Sequence, residues 1–465
     1  MLVPQSSTGI SELRALIDVI QTSVDKLEET LVSRGQTYPS LDTLYSPETE
    51  APRTSPDVLA LGDLVVSAAA QLIASVPSAC LRAAIQTHVP EILREAGPGG
   101  LHVSHIAAPS QVDPTKLARI LRLLATNHIF KEIGPDVFAH NRLSSLLDTG
   151  KSVFEIFRDP DAKHDGSPGF SALFEQLSDY SMKAASYMPE IILDPVMRRT
   201  GKTAFNRAYQ TDLGSFQWLN LPDNSYIHRR FNMAMEGTAR MSVPWEVFEG
   251  FDWEGLPEDS VVVDVGGGVG SQTLTLARRH KHLKFVVQDT EATRPNAVNY
   301  WNDRYPEATA SGRVQYQVHN FFDPQPVIAP AVFFMRQVLH DWSDVHSVSI
   351  LRQLRDAAGP DTKLVIAENV MEYACPGSPL TNLDVSISSA SRPHPPPLLP
   401  NSGAASMFTY YIDFVMMNTH GGSERTLPHF AELLADGGWK VVSLFKGLPG
   451  ARGKLVAVPY RGGKL

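Results

Sequence analysis

Val261-Val262-Val263-Asp264-Val265-Gly266-Gly267-Gly268-Val269-Gly270 is the stretch that decides the fold. Its first five residues read as a buried strand. Glycines at 266, 268 and 270 then make a turn into a helix over Gln272–Arg279. Glycine tolerates positive φ and lets the backbone come close to a ligand. A nucleotide-type site at the carboxyl end of a first strand is built this way. The spacing is G-x-G-x-G. A dinucleotide fingerprint needs glycine at 271, where Ser271 stands, so a nicotinamide-dependent oxidoreductase is disfavoured.

Outward from this stretch, residues 251–465 alternate strand and helix. Candidate strands are Val261–Val265, Lys284–Gln288, Val314–Val318, Val332–Met335, Lys363–Ala367, Trp439–Phe445 and Leu455–Val458. Such alternation predicts an α/β fold, a doubly wound, mostly parallel sheet with ligands at the carboxyl ends of its strands. Lys446–Lys454 is a short glycine-rich link, which predicts an antiparallel hairpin of the last two strands at the sheet edge. Residues 375–408 break the pattern with seven prolines and many serines, and read as a disordered surface insertion.

Ahead of the sheet, Ile10, Leu13, Leu16, Ile17, Ile20, Val24, Leu27 and Leu31 recur at helical spacing. Residues 35–56 read as a loop, and 58–95 as two helices broken near Pro77. Asp113 and Pro114 are the cap and first residue of a helix. The runs Ile129–Ile133 and Val137–His140, joined by Gly134-Pro135-Asp136, predict a hairpin. Helices followed by a hairpin are similar to a winged helix. The domain expectation is therefore 1–150 for dimerisation, 151–250 for a helical region around an acceptor pocket, and 251–465 for the nucleotide-type domain.

Winged helices often bind DNA, so a DNA-binding regulator is a rival. The formal charge of −9 and the thin basic stripe Arg119, Arg122, Lys131 oppose nucleic acid or an anionic membrane as partner. With 43% apolar residues there is ample material for packed cores. Cys80 and Cys375 are the two cysteines, which imply neither a disulfide framework nor a zinc site and suit a reducing compartment. No basic and apolar leader or 18-residue apolar run stands out, so a soluble cytoplasmic protein is the expectation.

Side chains suited to chemistry fall at strand ends. Asp289 closes the second strand, where a carboxylate can accept from both ribose hydroxyls. Asn320-Phe321-Phe322 follows the third, where an amide and aromatic rings could meet an adenine edge and face. His340-Asp341-Trp342-Ser343-Asp344 follows the fourth and opens a helix over about 345–358. A histidine there can serve as a general base near neutral pH. Glu368 ends the fifth strand and Glu424 precedes a helix capped by Thr426. Two carboxylates could orient an imidazole and stabilise its charged form.

Taken in order, the 263–270 loop, His340–Asp344, Glu424-Arg425-Thr426 and the segment Phe231–Met235 make the chain similar to one family. It resembles the O-methyltransferases of the caffeate/phenolic type that use S-adenosylmethionine (SAM), in the branch that serves fungal secondary metabolism. The resemblance implies SAM as methyl donor, a small aromatic hydroxyl as acceptor, and a homodimer formed through the N-terminal domain. It implies no metal. It makes His340 the base, with Glu368 and Glu424 beside it. It assigns Asp264, Gly266, Gly268, Gly270, Asp289, Asn320, Phe321 and Arg336 to the cofactor, and Phe231, Met235 and Met416 to the acceptor. Two positions depart from the family pattern: asparagine at 320 replaces an aspartate, and arginine at 336 replaces a lysine, which keeps the charge but changes its geometry. The rival within this fold is an enzyme that binds SAM without consuming it.

Overall fold

The computed structural model describes residues 9–39, 46, 48, 52, 55–62, 78–195, 200–241, 244–375, 384–389, 398–447 and 452–460. Parts of the expected 35–56 loop, of the helical 58–95 stretch (63–77, with Pro77) and of the 375–408 insertion (376–383 and 390–397) lie outside them.

Thirteen strands occur among the described residues. The first three, β1 Leu101–His102, β2 Lys131–Gly134 and β3 Val137–Ala139, form a small antiparallel sheet ordered β1-β3-β2. It packs with the helices Ser78–Gln86, Val89–Ala96 and Pro114–Thr126 around a core that includes Leu93, Leu121, Leu124, Phe130 and Phe138. The Asp113 side chain accepts from the backbone N–H of Thr115 and Lys116, so the proposed cap and Pro114 start the third of these helices.

The large sheet holds β4 Val261–Val265, β5 Lys284–Asp289, β6 Val314–Val318, β7 Val332–Arg336, β8 Lys363–Glu368, β10 Ser386–Ser389, β12 Trp439–Lys446 and β13 Gly453–Pro459. Its order is β10-β12-β13-β8-β7-β4-β5-β6. Strands β4 to β8 run parallel, and β13 is antiparallel to both β8 and β12. Strands with both faces covered read as continuous apolar runs. Val263, Val265, Phe333 and Met335 pack on one face against Ile350, Leu354 and Phe430. Val262, Phe285, Val287 and Phe334 pack on the other against Leu274, Leu276 and Trp301. The strand order reverses between β4 and β7, which opens the crevice where ligands sit in such sheets.

Two expectations need correction. The β12–β13 hairpin forms, but it is not the edge of the sheet. Ser386–Ser389 of the insertion adds as β10, parallel to Ser443–Lys446 of β12. An open strand edge offers unpaired N–H and C=O groups, and β10 satisfies one row of them. Disorder is therefore the wrong description for this part of 375–408. At its far end Leu398 is buried against Val19 and Ile20 of the long helix Gly9–Ser33. Among the described residues no helix is long and apolar enough to cross a membrane.

Candidate active site

The glycine turn is the floor of the crevice. Gly266, Gly268 and Gly270 have φ of 68°, 60° and 80°, values that side chains disfavour. A Cβ on Gly270 would lie 2.9 Å from the Trp301 indole nitrogen, which donates to the Val269 carbonyl. Around a Cβ on Gly268 there would be nothing within 4 Å. One side of the turn is thus packed and the other is open to a ligand. Asp264 lies beneath Gly267 and accepts from the Thr273 hydroxyl at 2.5 Å. Burial pushes its carboxyl up to about 6, against the Thr273 hydrogen bond. Asp264 shapes the turn from below rather than facing the open side.

Asp289 caps β5 beside this turn. One carboxylate oxygen accepts the Gly268 N–H at 2.8 Å; the other accepts from the Thr290 N–H at 2.7 Å and the Thr293 hydroxyl at 3.0 Å. Asn320 is exposed after β6, and its side-chain oxygen accepts the Phe322 N–H. Phe321 reaches the Gly266 end of the turn and stands edge-on to Trp342, with ring centres 5.8 Å apart. Arg336 ends β7. Burial, with Arg452 nearby, holds its guanidinium down to about 10 against the pull of Glu246 and Asp264.

His340 sits in the turn after β7. Gln337 enters that turn with φ 53°, a left-handed backbone rare for a side-chain residue and common at functional sites. The next residues form a tight helical turn, Leu339–Asp341. Its three N–H groups from Val338, Leu339 and His340 all point at one oxygen of Glu368, at 3.1, 2.7 and 3.3 Å. Glu368 therefore holds the backbone under the histidine. The expected place beside the ring is not where its hydrogen bonds go. Burial pushes this carboxyl up to about 7, opposed by the charges of His340 and Arg425.

Glu424 is the carboxylate on the ring. His340 Nδ1 donates to it at 2.8 Å, and both groups are buried. Topology brings it there: β9 Val370–Met371 pairs in parallel with β11 Arg425–Thr426, laying the 421–426 loop along the exit of β8. Asn369 donates to the same Glu424 oxygen at 3.0 Å, and the Glu424 N–H donates to Asp413 at 2.8 Å. Arg425, fully buried, donates to the carbonyls of Leu339 and Trp342 and pairs with Asp344. A Cβ on Gly422 would drive into the His340 carbonyl. On the other side of the ring, Asp341 stands 3.6 Å from Nε2, beyond hydrogen-bond reach. Burial alone would lower the imidazole pKa. The carboxylates of Asp341, Glu424 and Glu368 outweigh it and push the ring up to about 10.

Aromatic side chains wall the space beside His340. Phe216 stacks on His420 at 4.6 Å and stands edge-on to Phe231 at 6.1 Å. His420 accepts from or donates to Ser215 across 2.7 Å. Met416 is buried; Met235 is 43% exposed on the helix Ser225–Met241, so this chain by itself does not enclose it. Sequence reasoning quoted Asp341 and Arg425 inside their motifs but gave them no role. It missed Asn369, Asp413, Phe216 and His420, which carry no spacing signal.

Comparison with known proteins places this geometry. Residues 191–391 match the model of the O-methyltransferase domain, and residues 71–150 that of the O-methyltransferase dimerisation domain. An O-methyltransferase of Armillaria gallica is 37% identical over 93% of this chain and 95% of its own length. The 4-O-methyltransferase 1 of Phanerochaete chrysosporium is 36% identical over 94% and 96%. Among solved structures, the mitomycin 7-O-methyltransferase MmcR shares the fold with a TM-score of 0.61, at 23% identity over 82% of this chain and 94% of that one. LepI in complex with SAM shares it with a TM-score of 0.60, at 18% identity over 97% and 100%. The fold and the site define a class I SAM-dependent methyltransferase with an N-terminal dimerisation domain. The chain belongs to the plant-type, caffeate-like O-methyltransferase family, in its fungal branch. It is an O-methyltransferase that draws its methyl group from SAM.

Proposed function

We propose that the acceptor is a hydroxyl on a small aromatic molecule and that His340 takes its proton as the methyl group is transferred. One observation carries this: His340 Nδ1 is engaged by buried Glu424 at 2.8 Å, while Nε2 has no hydrogen bond to Asp341 and is left for an incoming hydroxyl. An imidazole fixed at one nitrogen has one tautomer and one orientation at the other. Phe216, Phe231, Trp342, Met416 and His420 offer flat and apolar surface for a ring.

The residues of the glycine turn fit SAM: Gly268 leaves open space where any other residue would place a side chain, and the carboxylate of Asp289 stands beside it. Gly266, Gly268 and Gly270 would hold the amino-acid part, Asp289 the ribose, and Asn320 with Phe321 the adenine. Asp264 and Arg336 would support the turn and its charge from behind. Bound SAM supplies an electrophilic methyl group on a sulfonium centre. A positive charge in the crevice acts on His340 against the carboxylates and favours its neutral, proton-accepting form. Glu368 keeps the backbone of the base in place, and Glu424 keeps the ring turned. Phenols titrate near pH 10, so proton removal as the oxygen attacks is worth roughly 10²–10⁴-fold.

The working unit is a homodimer joined through the N-terminal domain, with the partner completing the acceptor pocket around exposed Met235. Two free cysteines in 465 residues support a reducing, cytoplasmic setting. The test uses His340→Gln, labelled SAM and a panel of phenols. Methylated product should fall by roughly 10²–10⁴-fold while calorimetric SAM affinity stays within a few-fold. A variant that methylates at the wild-type rate removes His340 as the base.

A further inference from the structure

We propose that His280, His282 and Glu254 bind one divalent transition-metal cation of the zinc type, at the end of the sheet opposite the methyl-transfer site. His280 and His282 flank Lys281 in the corner between the helix Ser271–Arg279 and β5. Glu254 comes from the turns that lead into β4. Both β4 and β5 enter the sheet here; the glycine turn and Asp289 lie at their other ends.

One ligand atom from each of the three side chains lies within 4.8 Å of the others. Glu254 Oε2 is 2.9 Å from His280 Nδ1. Two donors at about 2.0–2.1 Å from a tetrahedral ion sit about 3.3 Å apart. Closing this pair on an ion takes a modest adjustment that replaces its hydrogen bond, and the Glu254 side chain, 78% exposed, has room to make it.

A second observation points to a ligand. Nε2 of His282 is buried with no hydrogen-bond partner among the described residues. A sealed imidazole nitrogen is costly to leave unpaired. The His280 side chain is only 4% exposed. Nearby cations are already committed. Arg313 donates to the carbonyls of Ala277, His280 and Leu283, and Arg279 lies over the Phe248 ring at 4.4 Å. Two imidazoles and one carboxylate suit zinc, nickel or copper; magnesium and calcium prefer all-oxygen sets. A bound ion would tie the turns before β4 to the helix–strand corner.

Titration calorimetry of the metal-stripped full chain with zinc chloride, and with magnesium chloride as comparison, tests this. One Zn²⁺ per chain should bind, magnesium should not, and the Tm should rise with zinc. Binding should weaken roughly tenfold or more in His282→Ala and in Glu254→Gln. Methyl transfer by Glu254→Gln should match wild type. Glu254→Gln changes an exposed side chain, so it keeps the test open where an imidazole variant folds poorly. Absent zinc uptake, equal uptake of magnesium, or uptake undiminished in both variants overturns the proposal.

Discussion

At the scale of single residues, the charge around His340 sets the behaviour of the site. The imidazole is charged at neutral pH because carboxylates on both of its sides outweigh its burial. Its folded pKa lies above the ordinary 6.5, so the stability from the charged ring is fully present below about 6.5. That stability is lost as pH rises through about 10. The neutral form needed for catalysis follows the opposite course. For the free enzyme, kcat/KM should climb through the alkaline range. Asp341→Asn removes one carboxylate without touching Glu424, so the climb should move to lower pH. Phenol ionisation also raises rates at high pH, but it cannot move with the substitution. A pH–rate profile of both proteins on one acceptor decides; coincident curves leave Asp341 with no hold on the base.

At the scale of elements, the catalytic turn is a short piece of backbone held from three directions. Glu368 takes its N–H groups, Arg425 takes its carbonyls, and Gly422 touches it with no side chain between. Such close approach is why glycine is needed at 422. Gly422→Ala should force the turn and loop apart at a cost of about 1–3 kcal/mol. Because the displaced atom belongs to His340, kcat should fall by tenfold or more with SAM affinity nearly unchanged. Steady-state kinetics with calorimetry separates the two. Glu368→Ala should go further, since three buried N–H groups lose their acceptor; a loss of about 1–3 kcal/mol or more is expected in urea unfolding. Thr426 shows the same local logic on a smaller scale: it accepts from the His429 N–H and starts the helix that packs Phe430 onto the sheet.

At the scale of the whole molecule, a buried polar network fastens the N-terminal helices to the middle of the chain. Glu175 accepts from Gln86, His164 and Arg230 at 3.0, 2.9 and 3.1 Å. Arg230 and Arg82 each pair with one of the two carboxylate oxygens of Asp179. Burial alone would raise the Glu175 carboxyl, but hydrogen bonding from His164 and the charge of Arg230 hold it at about 2. Its folded pKa is depressed, so this stability is present above about 4.5 and lost as pH falls toward about 2. Acid unfolding of wild type should show that loss, and Glu175→Gln should flatten it. A Glu175→Gln profile of unchanged shape would make the network neutral to folding. The proposed dimer belongs to this scale too: sedimentation should give twice the mass of one chain, and a monomer at assay concentration would remove the partner from the pocket.

The sequence by itself determined seven of the eight strands of the large sheet, the glycine turn, the two capped helices and the histidine. Each of these is written locally: apolar runs for strands buried on both faces, glycines for positive φ, Asp113 and Thr426 for caps, and a histidine at a strand end. Only the tertiary structure decided what the carboxylates do. Glu368 and Glu424 look equivalent in the chain, each an acid near the end of a strand or loop. Pairing of β9 with β11 turns Glu424 onto the ring, while the left-handed turn at Gln337 points three N–H groups at Glu368. The edge strand β10 was hidden for the same reason. Its residues, Ser386-Ile387-Ser388-Ser389, lie in a stretch dominated by prolines and serines, and they pair where β12 offers a row of open hydrogen bonds. Side-chain chemistry is read along the chain, but hydrogen bonds between distant residues depend on orientation, and packing alone fixes that.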